Sequence, residues 1–356
     1  MQARLVLEDG SLFTGSAHGA KGETWGEVVF NTSMTGYQEI LTDPSYCGQI
    51  LTMTFPLIGN YGINPEDFES RRPFLRGFIA REFCANPSNW RSVMTVGDFL
   101  KDNNIIAMDG IDTRAITRHI REKGAMKGIL TTEDTPLEAI IEKAKKLPGI
   151  SEMDLIPEVT TEEIYSWENS GPHIVVIDVG LKLSIARSLH NTGCRVTIVP
   201  ASLSAGDIMD LKPDGLMISN GPGDPQNAKE VVKAAQELAG RIPMMGICLG
   251  HQIIALAMGA KTYKLKFGHR GSNHPVKDFF RDKVYISSQN HGFAVDEDSL
   301  PHGLSVTQRN LNDDTVEGLQ DNKLKITCIQ YHPEAFPGPS DSHYLFDSFL
   351  EQLTDR

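Results

Sequence analysis

A single cysteine lies between two glycines in the segment MGICLGHQ, residues 245–252. The form G-x-C-x-G is the thiol counterpart of the G-x-S-x-G nucleophile elbow, a sharp strand-to-helix turn that exposes its central side chain. Such a turn strains the central residue, and side chains at Gly246 and Gly250 would collide with the approaching helix. The helix N-terminus would favour the reactive thiolate form of Cys248, and the backbone N–H of Leu249 would point toward an oxyanion. The alternative is a buried structural cysteine, because free cysteine is among the most buried residue types.

A nucleophilic thiol needs a base and a residue that orients the base, and the segment YHPE, residues 331–334, supplies both. This segment follows the apolar run ITCIQ. If that run is a strand parallel to the one before Cys248, both strands end at the same edge of the sheet. His332 could then accept and return the proton while Glu334 fixes its tautomer. The alternative for this motif is a solvated His-Pro turn. His251 is a second candidate base, but we expect it to turn away from the thiol because it begins the next helix.

Two further polar turns are predicted after strands. ISNGPGDP, residues 218–225, exposes backbone N–H groups that suit a carboxylate, a phosphate or an oxyanion. It is not a P-loop, because no Gly-Lys-Ser/Thr follows. The run KVYISSQNHGFAV is predicted as an additional strand that contains a polar turn, SQNHGFAV, in which Asn290, Gly292 and Phe293 could line a pocket. His291 is interpreted there as a satisfied turn residue.

The elements that must position these residues change in character along the chain. In residues 172–356, short β-branched runs such as HIVVIDVG alternate with helical patterns, which predicts a doubly wound, mostly parallel α/β sheet with its sites at the carboxyl ends of the strands. Residues 1–145 carry more Gly, Asn and aromatic residues, a hairpin turn at Asp9-Gly10 and a helix in IDTRAITRHIREKG. The runs EVVFNTSMTGYQEILTD and GQILTMTF read as strands and turns, and we predict a separate α+β domain there. Residues 146–171 are rich in Pro, Gly and acidic residues and are predicted as the linker.

The composition excludes several classes of protein. The 356 residues carry a formal net charge of −12, which argues against nucleic acid as the main partner. No stretch approaches the roughly 18 apolar residues of a membrane helix, and the N-terminus lacks the apolar core of a signal peptide. We therefore expect a cytoplasmic protein that does not enter the membrane. Five scattered cysteines without a CxxC pair exclude the usual zinc spacings and argue against a disulfide framework.

The trio NGPGDP, GICLGHQ and HPE, in this order and spacing, resembles the class I, triad-type glutamine amidotransferases over about residues 172–356. The segments FNTSMTGYQEILTDPSY, GIDTR, KFGHRGSNHPVKD and QNHGFAVD resemble the small subunit of carbamoyl-phosphate synthetase, and they extend the resemblance over nearly the whole chain. The resemblance implies that L-glutamine is hydrolysed here and that its ammonia passes to a large synthetase subunit. That partner would use ATP, Mg²⁺ and bicarbonate, whereas no metal and no organic cofactor is implied for this chain.

The resemblance also assigns roles by position. It makes Cys248 the nucleophile, His332 the general acid and base, and Glu334 the partner of His332. Gly223 and Leu249 would offer oxyanion N–H groups. The residues that would hold glutamine are Ser45, Gly221, Gly223, Leu249, Gln252, Asn290, Gly292 and Phe293. The first of these comes from the N-terminal domain, so the implied site would include residues of both domains.

The chain departs from the family pattern D-F-G-x-K-x-N at DVGLKLS, residues 178–184. We expect Val179 and Ser184 to alter packing or a subunit contact and to leave the triad unchanged. Two alternatives stay open: the amidotransferase subunit of another synthase, such as one that makes guanylate or anthranilate, and a catalytically silent partner that only binds and activates a synthetase. Roles in arginine and in pyrimidine synthesis both fit the resemblance.

Overall fold

The computed structural model describes residues 1–354 and divides the chain into two compact units, one from Met1 to Met153 and a second from Asp154 onward. The predicted fold class, an α+β domain followed by a doubly wound α/β domain, is confirmed. Part of the segment predicted as a linker, 146–171, is folded into the second unit, where it supplies a short helix and an edge strand. Among the described residues, no helix is long and apolar enough to cross a membrane.

The first unit is built around a closed barrel. Its strands are β1 (Gln2–Leu7), β2 (Leu12–Gly19), β3 (Glu23–Asn31), β4 (Gln49–Met53), β5 (Leu57–Ile58), β6 (Gly77–Ile79), β7 (Glu82–Phe83), β8 (Ile106–Asp109) and β9 (Met126–Thr131). Its helices are α1 (Tyr37–Thr42), α2 (Val96–Asp102), α3 (Thr113–Lys123) and α4 (Leu137–Lys146). The barrel order is β1-β2-β8-β6-β4-β3-β9, while β5 and β7 form a separate two-stranded sheet.

Local signals in the first unit act as the sequence predicts. The Asp9-Gly10 turn joins β1 to β2 in antiparallel register, and Gly10 adopts φ of 92°, a conformation that glycine reaches without steric cost. The helix predicted in IDTRAITRHIREKG is α3, whose N-terminus is capped by the Asp112 side chain accepting from the Ala115 N–H. The helix ends at Gly124, at φ of 103°.

The second unit is organised on one ten-stranded sheet. Its strands are β10 (Tyr165–Trp167), β11 (His173–Asp178), β12 (Arg195–Pro200), β13 (Gly215–Ile218), β14 (Met244–Ile247), β15 (Lys261–Asp278), β16 (Lys283–Asp296), β17 (Ser305–Asn310), β18 (Val316–Asp321) and β19 (Ile326–Ile329). Its helices are α5 (Ile156–Val159), α6 (Leu183–Asn191), α7 (Ala205–Asp210), α8 (Lys229–Leu238), α9 (Leu249–Ala257) and α10 (Tyr344–Thr354). The strand order is β10-β12-β11-β13-β14-β19-β18-β17-β15-β16.

The middle of this sheet is parallel and buried on both faces. Strands β12, β11, β13, β14 and β19 pair in parallel. Alternate residues of β11 enter two different cores, with Val175 and Ile177 against α7, α8 and α9 and with Ile174 and Val176 against α6 and α10. Burial on both faces explains why these strands read as continuous apolar runs. The carboxyl ends of β13, β14 and β19 consequently meet at one edge of the sheet.

An antiparallel extension completes the sheet, and here one prediction is wrong. The predicted strand KVYISSQNHGFAV is confirmed as β16, which pairs with β15 over most of its length, but the polar turn predicted at SQNHGFAV is part of that strand. The polar residues at 287–291 are buried between strands, so they are not the exposed surface of a turn. Two register shifts in the β15–β16 ladder, between Lys264 and His269 and between Gly271 and His274, bend the pair locally.

Candidate active site

Cys248 occupies a strained turn between β14 and α9. Its backbone has φ of 55° and ψ of −104°, which a non-glycine residue rarely adopts. A Cβ at Gly250 would lie 2.0 Å from the carbonyl oxygen of Ile218, and one at Gly246 would lie 2.5 Å from the backbone of Gly250. The predicted strand-to-helix turn is therefore present, and glycine is required on both sides by close backbone packing.

The parallel pairing of β14 with β19 places His332 near this turn. Ile247 is in register with Ile329, and the Cys248 N–H donates to the carbonyl oxygen of Ile329 at 2.8 Å. The His332 N–H donates to the carbonyl of Ser288 at 2.9 Å, which fixes the chain just after β19. The Cys248 thiol is close enough to raise the pKa of His332. The contact is looser than a hydrogen bond, since His332 Nε2 has no hydrogen-bond partner among the described residues.

His332, Glu334 and Lys182 form a buried row of charges. His332 Nδ1 lies 2.6 Å from Glu334 Oε1, and Lys182 Nζ donates to the same oxygen at 3.0 Å and to the Ala335 carbonyl at 2.8 Å. The side chains of Lys182 and Glu334 are 3% and 0% exposed, so the ion pair is screened little by water.

The charges in this row set the protonation states. Burial is the largest single influence on His332 and lowers its pKa, but the negative charge of Glu334 and the contacts with Glu334 and Cys248 together outweigh burial and raise the pKa to about 10. Burial acts to raise the pKa of Glu334, whereas the charges of Lys182 and His332 hold it well below its usual range. At neutral pH this arrangement favours an imidazolium beside the cysteine and a carboxylate that orients the ring.

His251, the second candidate base, lies in a different environment. It is fully buried within α9, and burial lowers its pKa to about 3. Neither of its ring nitrogens has a hydrogen-bonded side-chain partner among the described residues, so no carboxylate orients the ring there. The structure thus gives the carboxylate partner to His332.

The loop after β13 packs directly against the elbow. A Cβ at Gly221 would lie 2.0 Å from the carbonyl oxygen of Val179 and 2.9 Å from Leu249 Cδ2, so only glycine fits where these three segments meet. Gly223 follows with φ of 86°. The Asn220 side chain accepts from the Lys182 N–H at 2.9 Å, which ties this loop to the turn after β11.

Part of the predicted glutamine-binding set is also brought together. The Cys248 thiol lies 3.5 Å from the carbonyl oxygen of Asn290, and Gln252 Nε2 donates to the carbonyl of Phe293 at 2.8 Å. Helix α9 and strand β16 therefore meet beside the nucleophile, with Gly292 between the two contacts. Ser45 lies in the first unit, where it is buried and its N–H donates to Asp43 Oδ1 at 2.9 Å. Its role, like the other assigned roles, stays a prediction.

Sequence reasoning noted Lys182 only as part of a motif and gave it no role. A signal was present, because Lys182 immediately follows β11 and so lies at the carboxyl edge of the parallel sheet. The departures from the family pattern lie in the interior: Val179 is fully buried in the core, and Ser184 is buried in α6. The effect of these two departures on packing or on a subunit contact stays a prediction.

Two known families match the chain, one in each unit. The family described as glutamine amidotransferase class-I matches residues 175–352. The fold and the site of the second unit thus define a class I glutamine amidotransferase domain. The family described as carbamoyl-phosphate synthase small chain, CPSase domain, matches residues 5–130, within the first unit.

Full-length relatives extend the match to both units. The chain is 54% identical to the carbamoyl phosphate synthase small chain of Syntrophotalea carbinolica, over 99% of this chain and 98% of the relative. It is 51% identical to that of Rhodopirellula baltica, over 99% and 97%. It is 50% identical to the pyrimidine-specific small chain of Bacillus subtilis, over 99% and 96%. The chain belongs to the family of carbamoyl phosphate synthase small chains, and the resemblance found in the sequence is confirmed.

Proposed function

We propose that this chain hydrolyses L-glutamine with Cys248, His332 and Glu334 and delivers the ammonia to a large synthetase subunit that makes carbamoyl phosphate. The observation that carries the proposal is the meeting of a strained cysteine turn and a buried histidine–carboxylate pair at the ends of two adjacent parallel strands. A nucleophile, a base and a residue that orients the base are the requirements of covalent acyl transfer.

The reaction begins from the thiolate of Cys248 and the imidazolium of His332. The thiolate attacks the side-chain amide carbon of glutamine, and backbone N–H groups of Gly223 and Leu249 stabilise the oxyanion. His332 donates its proton to the amide nitrogen, so ammonia leaves and a γ-glutamyl thioester remains. Neutral His332 then takes a proton from water, and the hydroxide attacks the thioester. Collapse of this second intermediate releases glutamate and restores the thiolate and the imidazolium.

The other assigned residues hold the substrate in this proposal. Gln252, Asn290, Gly292 and Phe293 lie on α9 and β16 beside the nucleophile, and Gly221 lies against the elbow. Ser45 of the first unit is included on the strength of the resemblance. The steps above use only side chains and backbone groups of this chain. ATP, Mg²⁺ and bicarbonate are assigned to the large subunit, which consumes the ammonia.

The test measures glutamate release from glutamine by this chain alone and together with a large carbamoyl phosphate synthase subunit, ATP and bicarbonate. We expect strong stimulation by the partner and formation of carbamoyl phosphate. Cys248→Ser should abolish both, whereas Cys84→Ser, at a half-buried cysteine of the first unit, should leave both unchanged. Hydrolysis without stimulation would assign the chain to another synthase. Absence of hydrolysis in every mixture would favour the silent partner.

A further inference from the structure

A second cluster of polar side chains is buried in the antiparallel part of the sheet. His269 on β15 and His291 on β16 are register partners, and Glu317 on β18 faces both. Their exposed fractions are 6%, 5% and 0%, and one ligand atom of each lies within 4.8 Å of the others. None of the three takes part in the proposed hydrolysis.

Hydrogen bonds around the cluster determine which ring nitrogens carry protons. His291 Nδ1 lies 2.7 Å from the carbonyl oxygen of Phe293, which can only accept, so Nδ1 carries the proton and Nε2 presents a lone pair. His269 Nε2 lies 2.8 Å from Asp313 Oδ2, so in the neutral ring Nδ1 presents the lone pair. Ligating histidines in metalloproteins are held in the same way, by a carbonyl or a carboxylate on the other nitrogen.

One contact in the cluster brings two hydrogen-bond acceptors together. His291 Nε2 lies 2.9 Å from Gln289 Oε1, and both are acceptors, because the amide nitrogen of Gln289 already donates to Glu317 Oε2 at 2.9 Å. Exchanging the two ends of the amide only moves the conflict, since Oε1 would then face the carboxylate. His269 Nδ1 has no hydrogen-bond partner among the described residues, and it lies 3.7 Å from Glu317 Oε1, beyond hydrogen-bond distance.

We propose that His269 Nδ1, His291 Nε2 and Glu317 bind a zinc ion, with Gln289 Oε1 as the fourth ligand. Two imidazoles and a carboxylate are zinc ligands. Zinc–ligand bonds of roughly 2.0–2.1 Å place tetrahedral ligands about 3.3 Å apart, so the side chains need to move inward by roughly 1 Å. Glu317 is already oriented by the Asn310 amide, which donates to Oε1 at 2.8 Å. Asp313, whose side chain is 40% exposed, forms the rim through which an ion enters.

The ion in this proposal is structural. It would join β15, β16 and β18, which are not all neighbours in the sheet. Because His291 lies between Asn290 and Gly292, the ion would also fix the strand to which we assign glutamine binding. This last consequence rests on the proposed function, whereas the metal site itself does not.

The test is zinc binding by the full-length chain after removal of metal with a chelator. Competition with a chromophoric chelator should give one zinc per chain, and added zinc should raise the melting temperature. The variants Glu317→Gln and His269→Gln should no longer bind zinc. Asp313→Asn, at the rim where misfolding is not expected, should weaken zinc binding about 10- to 100-fold. His302→Gln, at an exposed histidine, is the matched control and should bind like the parent.

Cobalt provides an independent readout. Co²⁺ added to the stripped chain should give the intense visible bands of a four-coordinate site, and zinc should displace them. The proposal is overturned if the folded parent chain binds less than one equivalent of zinc. It is also overturned if the Asp313→Asn variant binds zinc as tightly as the parent chain. In that case the positive charge of the cluster is a proton on His269, which lies between Asp313 and Glu317. Because binding is measured directly, this outcome is independent of whether glutamine is hydrolysed.

Discussion

Replacing Lys182 by Met tests whether the buried row of charges organises the candidate site. Met keeps the length and apolar stem of the side chain and removes only the charge and its hydrogen bonds. Lys182 Nζ lies 3.0 Å from Glu334 Oε1, and both side chains are almost fully buried. Removing one member of a buried ion pair typically costs about 3–5 kcal/mol, because the other charge stays buried without compensation. Glu334 keeps His332 as a counter-charge, so we expect the lower end, about 3 kcal/mol.

The assay is thermal unfolding together with histidine NMR. For a domain of this size, a loss of about 3 kcal/mol lowers the melting temperature by roughly 6–12 °C. The positive charge of Lys182 lowers the pKa of His332, so its loss should raise that pKa further, which a ring-carbon titration reports. A purely structural defect would not shift that titration in this direction.

Lys277→Met is the matched control in the same unit. Lys277 also pairs with a carboxylate, but the side chain of its partner, Asp282, is 90% exposed. Exposed pairs contribute little to stability, so the melting temperature should stay unchanged. Equal melting temperatures for the two Met variants, or an unmoved His332 titration in Lys182→Met, would refute the reasoning.

Three further predictions concern the stability of the second unit. Gly250→Ala places a Cβ 2.0 Å from the carbonyl oxygen of Ile218, a backbone atom that cannot yield, so the free energy of unfolding in urea should decrease by about 3 kcal/mol or more. Gly206→Ala is the control: its Cβ would lie 3.7 Å from the nearest atom, so the variant should be as stable as the parent chain or more stable. Phe349→Ala empties a fully buried position and should cost about 3–5 kcal/mol in the same assay. His332 has a folded pKa raised to about 10, so its contribution to stability is complete below about pH 6.5 and is lost as the pH rises toward 10. The urea concentration at the midpoint of unfolding should therefore decrease as the pH is raised from 7 to 10. A midpoint that does not change over this range would contradict the raised pKa.

Much of the local backbone structure of this protein could be predicted from short stretches of its sequence. The Asp9-Gly10 turn, the Asp112 cap and Gly124 stop of α3, and the glycines around Cys248 each specify a backbone conformation within a few residues. Apolar runs alternating with helical periods specified the parallel core. These signals are readable because they depend on φ, ψ and periodicity along a short stretch of chain.

In two segments the observed secondary structure differs from what the local sequence predicts. Residues 37–42 lie in a stretch that reads as strands and turns, yet they form α1, which buries Tyr37, Ile40 and Leu41 in the core of the first unit. The polar turn expected at SQNHGFAV, within a run that also predicts a strand, does not form, because β15 and β18 supply partners for its polar side chains. In both cases packing with distant segments outweighed local preference.

Only the tertiary structure decided which residues share a site. Strand β19 lies beside β14 although four antiparallel strands separate them in sequence, and this placement is what brings His332 to Cys248. Lys182 and Glu334 are 152 positions apart and meet because β11 and β19 end at the same edge of the sheet. The His269, His291 and Glu317 cluster depends likewise on the order of β15, β16 and β18. Strand order is set by burial and hydrogen bonding across the whole sheet, and no short stretch of sequence contains that information.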